Sequence, residues 1–414
     1  MTVQLTARNA SAQELLDILN SQKAHKLDVV APARQIWSHD GKLLVADTVA
    51  EITEDGVTSA AGTYSLTEIA DRGLADKLGI GQTYFRRMRE AGRTDLIDGN
   101  VNGWLHGNKS RDGAILHESD DRSFLLRLFR GDDGAPGVAR AVLSDRFNLS
   151  MDNLDMLMAV TQGIQAAGVQ PIVNVSDLSE SRMRVRFEFP DVYGRAEGLL
   201  DGYRTPFSGE RGPRRAGHRD LTALRAQFGP DHIFNKGSEP LAYMGLDFDN
   251  SETGSGAYNL TPVVVLVRCT NGWTETRRGI RKVHLGRVLS EGVIRPSLDT
   301  VRAAGALIKS ETTDAVTQWL TADYLADMIA GFEEKAAVQI STPTEVVPKV
   351  CTGLGFTAEE SAHVLDFFVL SGQPTAGGVA NAITAYAQTL EDPDRAYEVE
   401  RLAVPALEAV AVRR

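Results

Sequence analysis

Apolar positions recur along this chain with two distinct rhythms. In RMRVRFEF (182–189) they alternate, with Met183, Val185, Phe187 and Phe189 on one side and Arg182, Arg184, Arg186 and Glu188 on the other. A period of two marks a strand with one face in a core. PVVVLVRC (262–269) is apolar on both faces and reads as a central strand. Over 65–92 and 150–168 the spacing lengthens to that of a helix, with a break at Gly79–Gly81 in the first and a stop at Gly168 in the second. Ser65 with Glu68 fits a capping box for the first helix, and Ser150 or Asp152 fits the start of the second. Helix is also expected over 12–27, and strands over 33–38, 42–50, 113–118, 122–130 and 138–143, the last three as an antiparallel meander. From 298 onward the pattern is helical, with breaks near Thr342–Pro343, Gly353–Gly355, Gly372–Pro374 and Asp392–Pro393.

The class that follows is α+β: a largely antiparallel central sheet with an N-terminal helical hairpin and a C-terminal helical region. Three regions are expected: 1–110 with the hairpin at 65–92, an α+β core over 111–297, and a helical region over 298–414. The core contains a stretch rich in Gly, Pro and Arg over 194–240, and a loop of that length is usually functional or disordered.

Composition adds a bound and a charge map. With 414 residues, 43% of them apolar, the chain can bury a sizeable core. No apolar run approaches the roughly 18–20 residues of a membrane span, and the first residues lack the pattern of a signal peptide. Two cysteines, Cys269 and Cys351, make no disulfide framework. A cytoplasmic protein without a membrane partner is expected. The net charge is −11, yet residues 181–300 carry 18 Lys/Arg against 14 Asp/Glu while 301–414 carry 8 against 16. Positive charge is therefore gathered in the middle of the chain.

Chemistry that needs a metal, cofactor or nucleophile finds little support. The eight histidines form no HExxH, and no Cys-x-x-Cys occurs. DFDNSETGSG (247–256) puts Glu252 and Tyr258 where a calcium loop needs Gly and Glu. There is no Gly-x-Ser-x-Gly elbow and no phosphate-binding P-loop. Cys269 closes an apolar strand, the usual place of an inert thiol. No catalytic residue, metal or cofactor is assigned; enzymatic activity is unsupported, and an enzyme with an unrecognised site stands last among the readings.

Phosphate recognition fares better. RRGIRKVHLGR (277–287) offers Arg277, Arg278, Arg281, Lys282, His284 and Arg287 just after a glycine-bearing turn, a density suited to neutralising a polyanion. Asn250, Ser251, Glu252 and Gly254 form a polar loop whose amides and hydroxyls suit phosphate or sugar. Arg182, Arg184 and Arg186 of the alternating strand, with Arg211, Arg214 and Arg215 of the long loop, extend that surface. Trp273, Tyr258, Tyr203 and Phe207 are placed to stack on unpaired bases, a mode suited to single strands. Two other readings compete. The mid-chain arginines could pair with acidic C-terminal surfaces of neighbouring copies in an oligomeric assembly protein. Alternatively, LADKLGIGQTYFRRM (74–88) places Ala75, Gly79 and Phe85 near the small, turn and apolar positions of a helix-turn-helix, with Arg86, Arg87 and Arg89 following on the second helix of a duplex-reading regulator, although many ordinary packing hairpins share that spacing.

Several phrases together resemble a known family. LGIGQTYFRRM, VNGWLHG (101–107), ARAVLSDRFNLSMDNLDML (139–157), DNSETGSGAYNLTPVVVLVRCTNGW, RKVHLG and NAITAYAQTLED (381–392) follow one another in the order and spacing of the phage/plasmid-like proteins carried by actinobacterial phages, prophages and plasmids. The resemblance runs from about residue 20 to about residue 400. It implies a mobile-element protein at work in the host cytoplasm, beside DNA recombination, repair or anti-restriction, and carries over no active site. Joined to the basic surface, it leads to the expectation of a homo-oligomeric protein that binds single-stranded DNA, for instance during strand annealing.

Overall fold

The structure, a computed structural model, describes residues 3–46, 50–53, 56–109, 112, 114–131, 137–207, 241–267, 272–274 and 279–411. The first half runs α1 (Ala12–His25), β1 (Lys26–Pro32), β2 (Ile36–His39), β3 (Lys42–Val45), β4 (Glu51–Thr53), β5 (Gly56–Thr58), β6 (Gly62–Leu66), α2 (Glu68–Leu78), α3 (Gln82–Glu90), α4 (Thr94–His106), β7 (Asn108–Lys109), β8 (Ile115–His117), β9 (Ser123–Phe129), β10 (Gly137–Ser144) and α5 (Asn153–Ala166). Next come β11 (Ile172–Leu178), β12 (Met183–Arg195), α6 (Glu197–Leu200), β13 (Leu241–Asn250), β14 (Tyr258–Leu266), β15 (Gly272–Thr274), β16 (Ile280–Lys282) and β17 (Gly292–Val293). Seven helices follow: α7 (Leu298–Trp319), α8 (Ala322–Ala336), α9 (Pro343–Gly353), α10 (Ala358–Ser371), α11 (Ala376–Ala387), α12 (Pro393–Arg401) and α13 (Ala403–Ala411). The class is α+β. Among the described residues no helix is long and apolar enough to cross a membrane.

Two sheets organise these elements. The first has the order β17-β1-β9-β10-β6-β3-β2, antiparallel except where β10 meets β6. Its strand β1 pairs with β9 and also with β17, so the sheet draws on residues 26–144 and again on 292–293. A domain boundary at 110 therefore runs through a sheet, because the strand on the far side of it completes the hydrogen bonding of the strand on the near side. Helices α2–α4 cover one face, where Leu27, Val29, Leu126, Leu128 and Val142 meet Ala70, Leu74, Phe85 and Val101. Helix α2 lies very close to β10: a Cβ on Gly73 would stand 2.5 Å from the Val142 carbonyl oxygen.

The second sheet has the order β11-β12-β13-β14-β15, with β16 also on β14. Val185, Phe187, Leu246 and Phe248 pack against α5 and α7, while Ala242, Met244, Val264 and Trp273 pack against the C-terminal helices. The helix breaks expected at proline and glycine fall between α8 and α9, α9 and α10, α10 and α11, and α11 and α12. Two local expectations are corrected. Residues 26–32 form strand β1 rather than helix end and loop, and α2 is capped by Thr67, whose Oγ1 accepts from the Ala70 amide at 3.1 Å, while Ser65 lies in β6.

Candidate nucleic-acid interface

The alternating strand puts its arginines on the face opposite the apolar core, as its period requires, but that face is covered. Arg184 and Arg186 are buried on β12. Asp247, on the adjoining β13, accepts from Arg184 at 2.7 Å and from Arg186 at 2.6 and 2.7 Å. Glu400 reaches in from α12 and accepts from Arg184 at 2.7 Å and Arg186 at 3.0 Å, and from the Gly272 amide at 3.3 Å. Burial works against charge on Arg186, yet Asp247 and Glu400 outweigh it and hold the guanidinium above its ordinary pKa. In the same way burial raises Asp247, but the two arginines more than reverse it and leave the carboxyl below its usual range. Arg182 is only partly exposed, 3.3 Å from Asp394. The expected arginine surface is thus an internal charge lattice, and Arg184 and Arg186 reach no phosphate.

The polar loop turns inward too. Asn250 donates to Met151 O and Asn153 Oδ1, both at 2.9 Å, and Ser251 donates to Ser181 O at 2.6 Å. Glu252 accepts from Arg140 through its carboxylate at 2.6 Å and from Arg127 through its carbonyl at 2.8 Å. Arg127 is buried and also grips Asp28 at 2.9 and 3.1 Å and Asp152 at 2.7 Å. Gly254 sits at φ +77° with Leu143 Cδ2 2.6 Å from where a Cβ would stand. His284 is buried against Phe147, its Nε2 3.0 Å from Asn250 Oδ1, and burial holds it below the ordinary imidazole value. Glu252 and Gly254 therefore join the second sheet to β9 and β10 of the first, while Asn250, Ser251 and His284 tie the loop to the start of α5, to the β11–β12 turn and to Phe147 rather than face a ligand. Trp273, Tyr258 and Tyr203 are buried and Phe207 is partly so, which removes the expected stacking surface.

Of the basic cluster, Lys282 pairs with Glu311 at 2.7 Å, and Arg281 and Arg287 are exposed. Arg211, Arg214, Arg215, Arg277 and Arg278 lie outside the described residues, as do Cys269 and Asn271.

The hairpin of α2 and α3 is a different case. Helix α2 ends at Gly79, in the left-handed region at φ 68°, and Ile80 donates its amide to Ala75 O at 2.8 Å. That closure is a helix C-cap that glycine makes without strain. Leu74, Ala75, Leu78 and Ile80 are buried from the first helix and turn, and Phe85 and Met88 from the second. Positions 75, 79 and 85 thus hold the small, turn and apolar roles that their spacing implies. Anchoring Phe85 and Met88 turns Gln82, Thr83, Tyr84, Arg86 and Arg87 to solvent. Arg89 does not join them: it donates to Asp71 at 2.8 and 2.6 Å and to Gly41 O at 2.7 Å, locking α3 to α2 and to the β2–β3 turn. Asp98 of α4 steadies the same turn through Ser38, Asp40 and Gly41.

Sequence reasoning passed over two exposed tryptophans of this half. Trp37 is 40% exposed and stacks on His106 at 3.4 Å, while Trp104 is 42% exposed and edge-on to His117 at 4.4 Å. The signal lay in VNGWLHG, where Trp104 falls one residue, about 100° of helix, from the buried Leu105 and so at the margin of the buried face of α4.

No family model matches the chain, and no curated protein or solved structure is significantly similar to it.

Proposed function

We propose that this protein binds duplex DNA by laying α3 in the major groove. The observation that carries the reading is the exposed row Gln82, Thr83, Tyr84, Arg86 and Arg87 on a helix whose other face is anchored by Phe85 and Met88. At 1.5 Å per residue α3 is roughly 13 Å long, and the groove is about 12 Å wide. Arginine pairs with guanine edges, glutamine with adenine, and threonine with either edges or phosphates. The resemblance to phage/plasmid-like proteins supports DNA as the nucleic acid, in the metabolism of a mobile element. Among the described residues the chain presents one such helix, and readers of this type pair two helices on successive half-sites, which supports a homo-oligomer. The single-strand surface centred on residues 277–287 keeps Arg281 and Arg287 exposed but loses its extension over Arg184 and Arg186, which are buried.

Fluorescence anisotropy with labelled duplex and single-stranded DNA of mixed sequence, over a salt series, tests the reading. Binding should favour duplex, and Arg86→Ala with Arg87→Ala should weaken it by about 1–3 kcal/mol and flatten its salt dependence. Arg281→Ala with Arg287→Ala should change little. Absence of duplex binding at low salt overturns the proposal; preferential single-strand binding lost in the Arg281/Arg287 variant returns the basic cluster to first place.

A further inference from the structure

Between the α2–α3 hairpin and the strands β3 and β6 lies a cleft of about 640 Å³, a volume in the range of small-ligand sites. Leu66, Ala75 and Phe85 give it an apolar lining, and Ser65, Gln82 and Thr83 supply hydroxyl and amide groups. Its charged groups balance. Arg89 and Asp71 close on one another and belong to the scaffold. Lys42, Arg72 and Arg86 remain on one side of the account, Asp40, Glu68 and Glu90 on the other.

Four of these remaining charges are loosely held. Arg72 meets Glu68 at 3.4 Å with their side chains 49% and 73% exposed, and Arg86 meets Glu90 at 3.7 Å with theirs 65% and 69% exposed. Ion pairs that long and that wet contribute little and exchange readily for a ligand. An anion placed among them would face three carboxylates, and a cation would face three basic groups. A molecule bearing both charges meets an opposite partner at each end. We infer that the cleft binds a zwitterion of the amino-acid or short-peptide class, its carboxylate on Arg72 and Arg86, its ammonium on Glu68 and Glu90, and an apolar side chain against Leu66 and Phe85. Gln82, Thr83 and Arg86 serve both the cleft and the exposed face of α3, so an occupied cleft competes with DNA for that helix. This coupling rests on the duplex-binding reading; the occupancy of the cleft does not.

Isothermal titration of the full chain with the tripeptide Ala-Leu-Ala, its N-acetyl form and its C-terminal amide decides the matter. The free tripeptide should bind saturably, and blocking either terminus should weaken it roughly tenfold or more, about 1.4 kcal/mol. Arg72→Gln should weaken the free tripeptide by a similar factor and leave the amide, which lacks the carboxylate, unchanged. No saturable heat at millimolar peptide, or equal affinities for the three peptides on the unaltered protein, overturns the inference. Duplex titrations of the same samples report on Arg86 and Arg87 separately, so the failure of either reading is visible apart from the other.

Discussion

Replacing Glu400 by glutamine keeps the side chain's shape and removes one charge from the lattice beneath α12. In the native arrangement Arg184 and Arg186, both buried, share the carboxylates of Asp247 and Glu400. In Glu400→Gln the two guanidiniums lose one of the two carboxylates they share in a dry interior, and the new amide NH₂ is set against the donors of Arg184, Arg186 and Gly272. Breaking a buried pair from one side costs about 3–5 kcal/mol. The hydrogen bonds give an independent figure: two charge-assisted contacts at 2.7 and 3.0 Å, each worth about 1.5–3 kcal/mol, sum to roughly 3–6 kcal/mol. Both estimates are large beside the ~5–15 kcal/mol by which most domains are stable. Glu398 lies on the same helix, exposed and 3.2 Å from Arg395, and Glu398→Gln should cost at most about 1 kcal/mol. Urea unfolding followed by circular dichroism measures both variants. Hydrogen exchange should show the loss of protection concentrated in α12 and α13. A Glu400→Gln protein within about 1 kcal/mol of the unaltered chain, or equal to Glu398→Gln, would refute the account of the lattice.

Other outcomes follow from the same contacts. Gly73→Ala should destabilise the protein by roughly 1–3 kcal/mol, because the new methyl meets the Val142 carbonyl oxygen at 2.5 Å. Gly99→Ala, in the exposed middle of α4 with nothing within 4 Å of the added carbon, should stabilise by about 0.5–1 kcal/mol, and thermal melts compare the two. Burial lowers the His284 pKa, and Arg127, Asp152 and Glu252 face the ring. A folded-state value below the unfolded one means that its stability contribution is present above about pH 6.5 and lost as pH falls through the folded value. The Tm of His284→Gln should accordingly drop less than that of the unaltered protein between about pH 7 and about pH 5. Cys351 is buried and its thiol pushed up to about 11, so peptide mapping after maleimide treatment should find it unlabelled until urea unfolds the chain.

What could be read from the sequence depended on how far apart the partners stand. The helical hairpin of α2 and α3 was legible because Ala75, Gly79 and Phe85 fix one another's surroundings within a few turns of chain. The breaks among the C-terminal helices were legible for the same reason, since proline and glycine act locally. The apolar side of β12 was also read correctly from its period. Its polar side was misjudged, because alternation reports which residues share a face and not what lies on it. The carboxylates that neutralise Arg184 and Arg186 arrive from Asp247 and Glu400, far along the chain, and no local pattern announces them. The loop at Asn250–Glu252 misled in the same way: residues suited to phosphate are equally suited to Arg127, Arg140 and Asn153 brought in from elsewhere. Strand β1 escaped notice because KLDVVAP is short and directly continues a helix, and its identity is settled by β9, nearly a hundred residues later.

The seam made by Arg127, Arg140 and Glu252 bears on how such a chain can be divided. A gene fragment ending after β10 would encode most of the first sheet but not β17, which borders β1, nor the loop that answers the two arginines. Its product would carry an open strand edge and two buried-type cations with a partner missing. A fragment beginning at β11 would carry Glu252 and Asn250 without Arg140 or Asn153. Neither piece keeps the ion pairs and strand pairing that it has in the full chain, so a cut between β10 and β11 should leave two fragments that are each less stable than the whole.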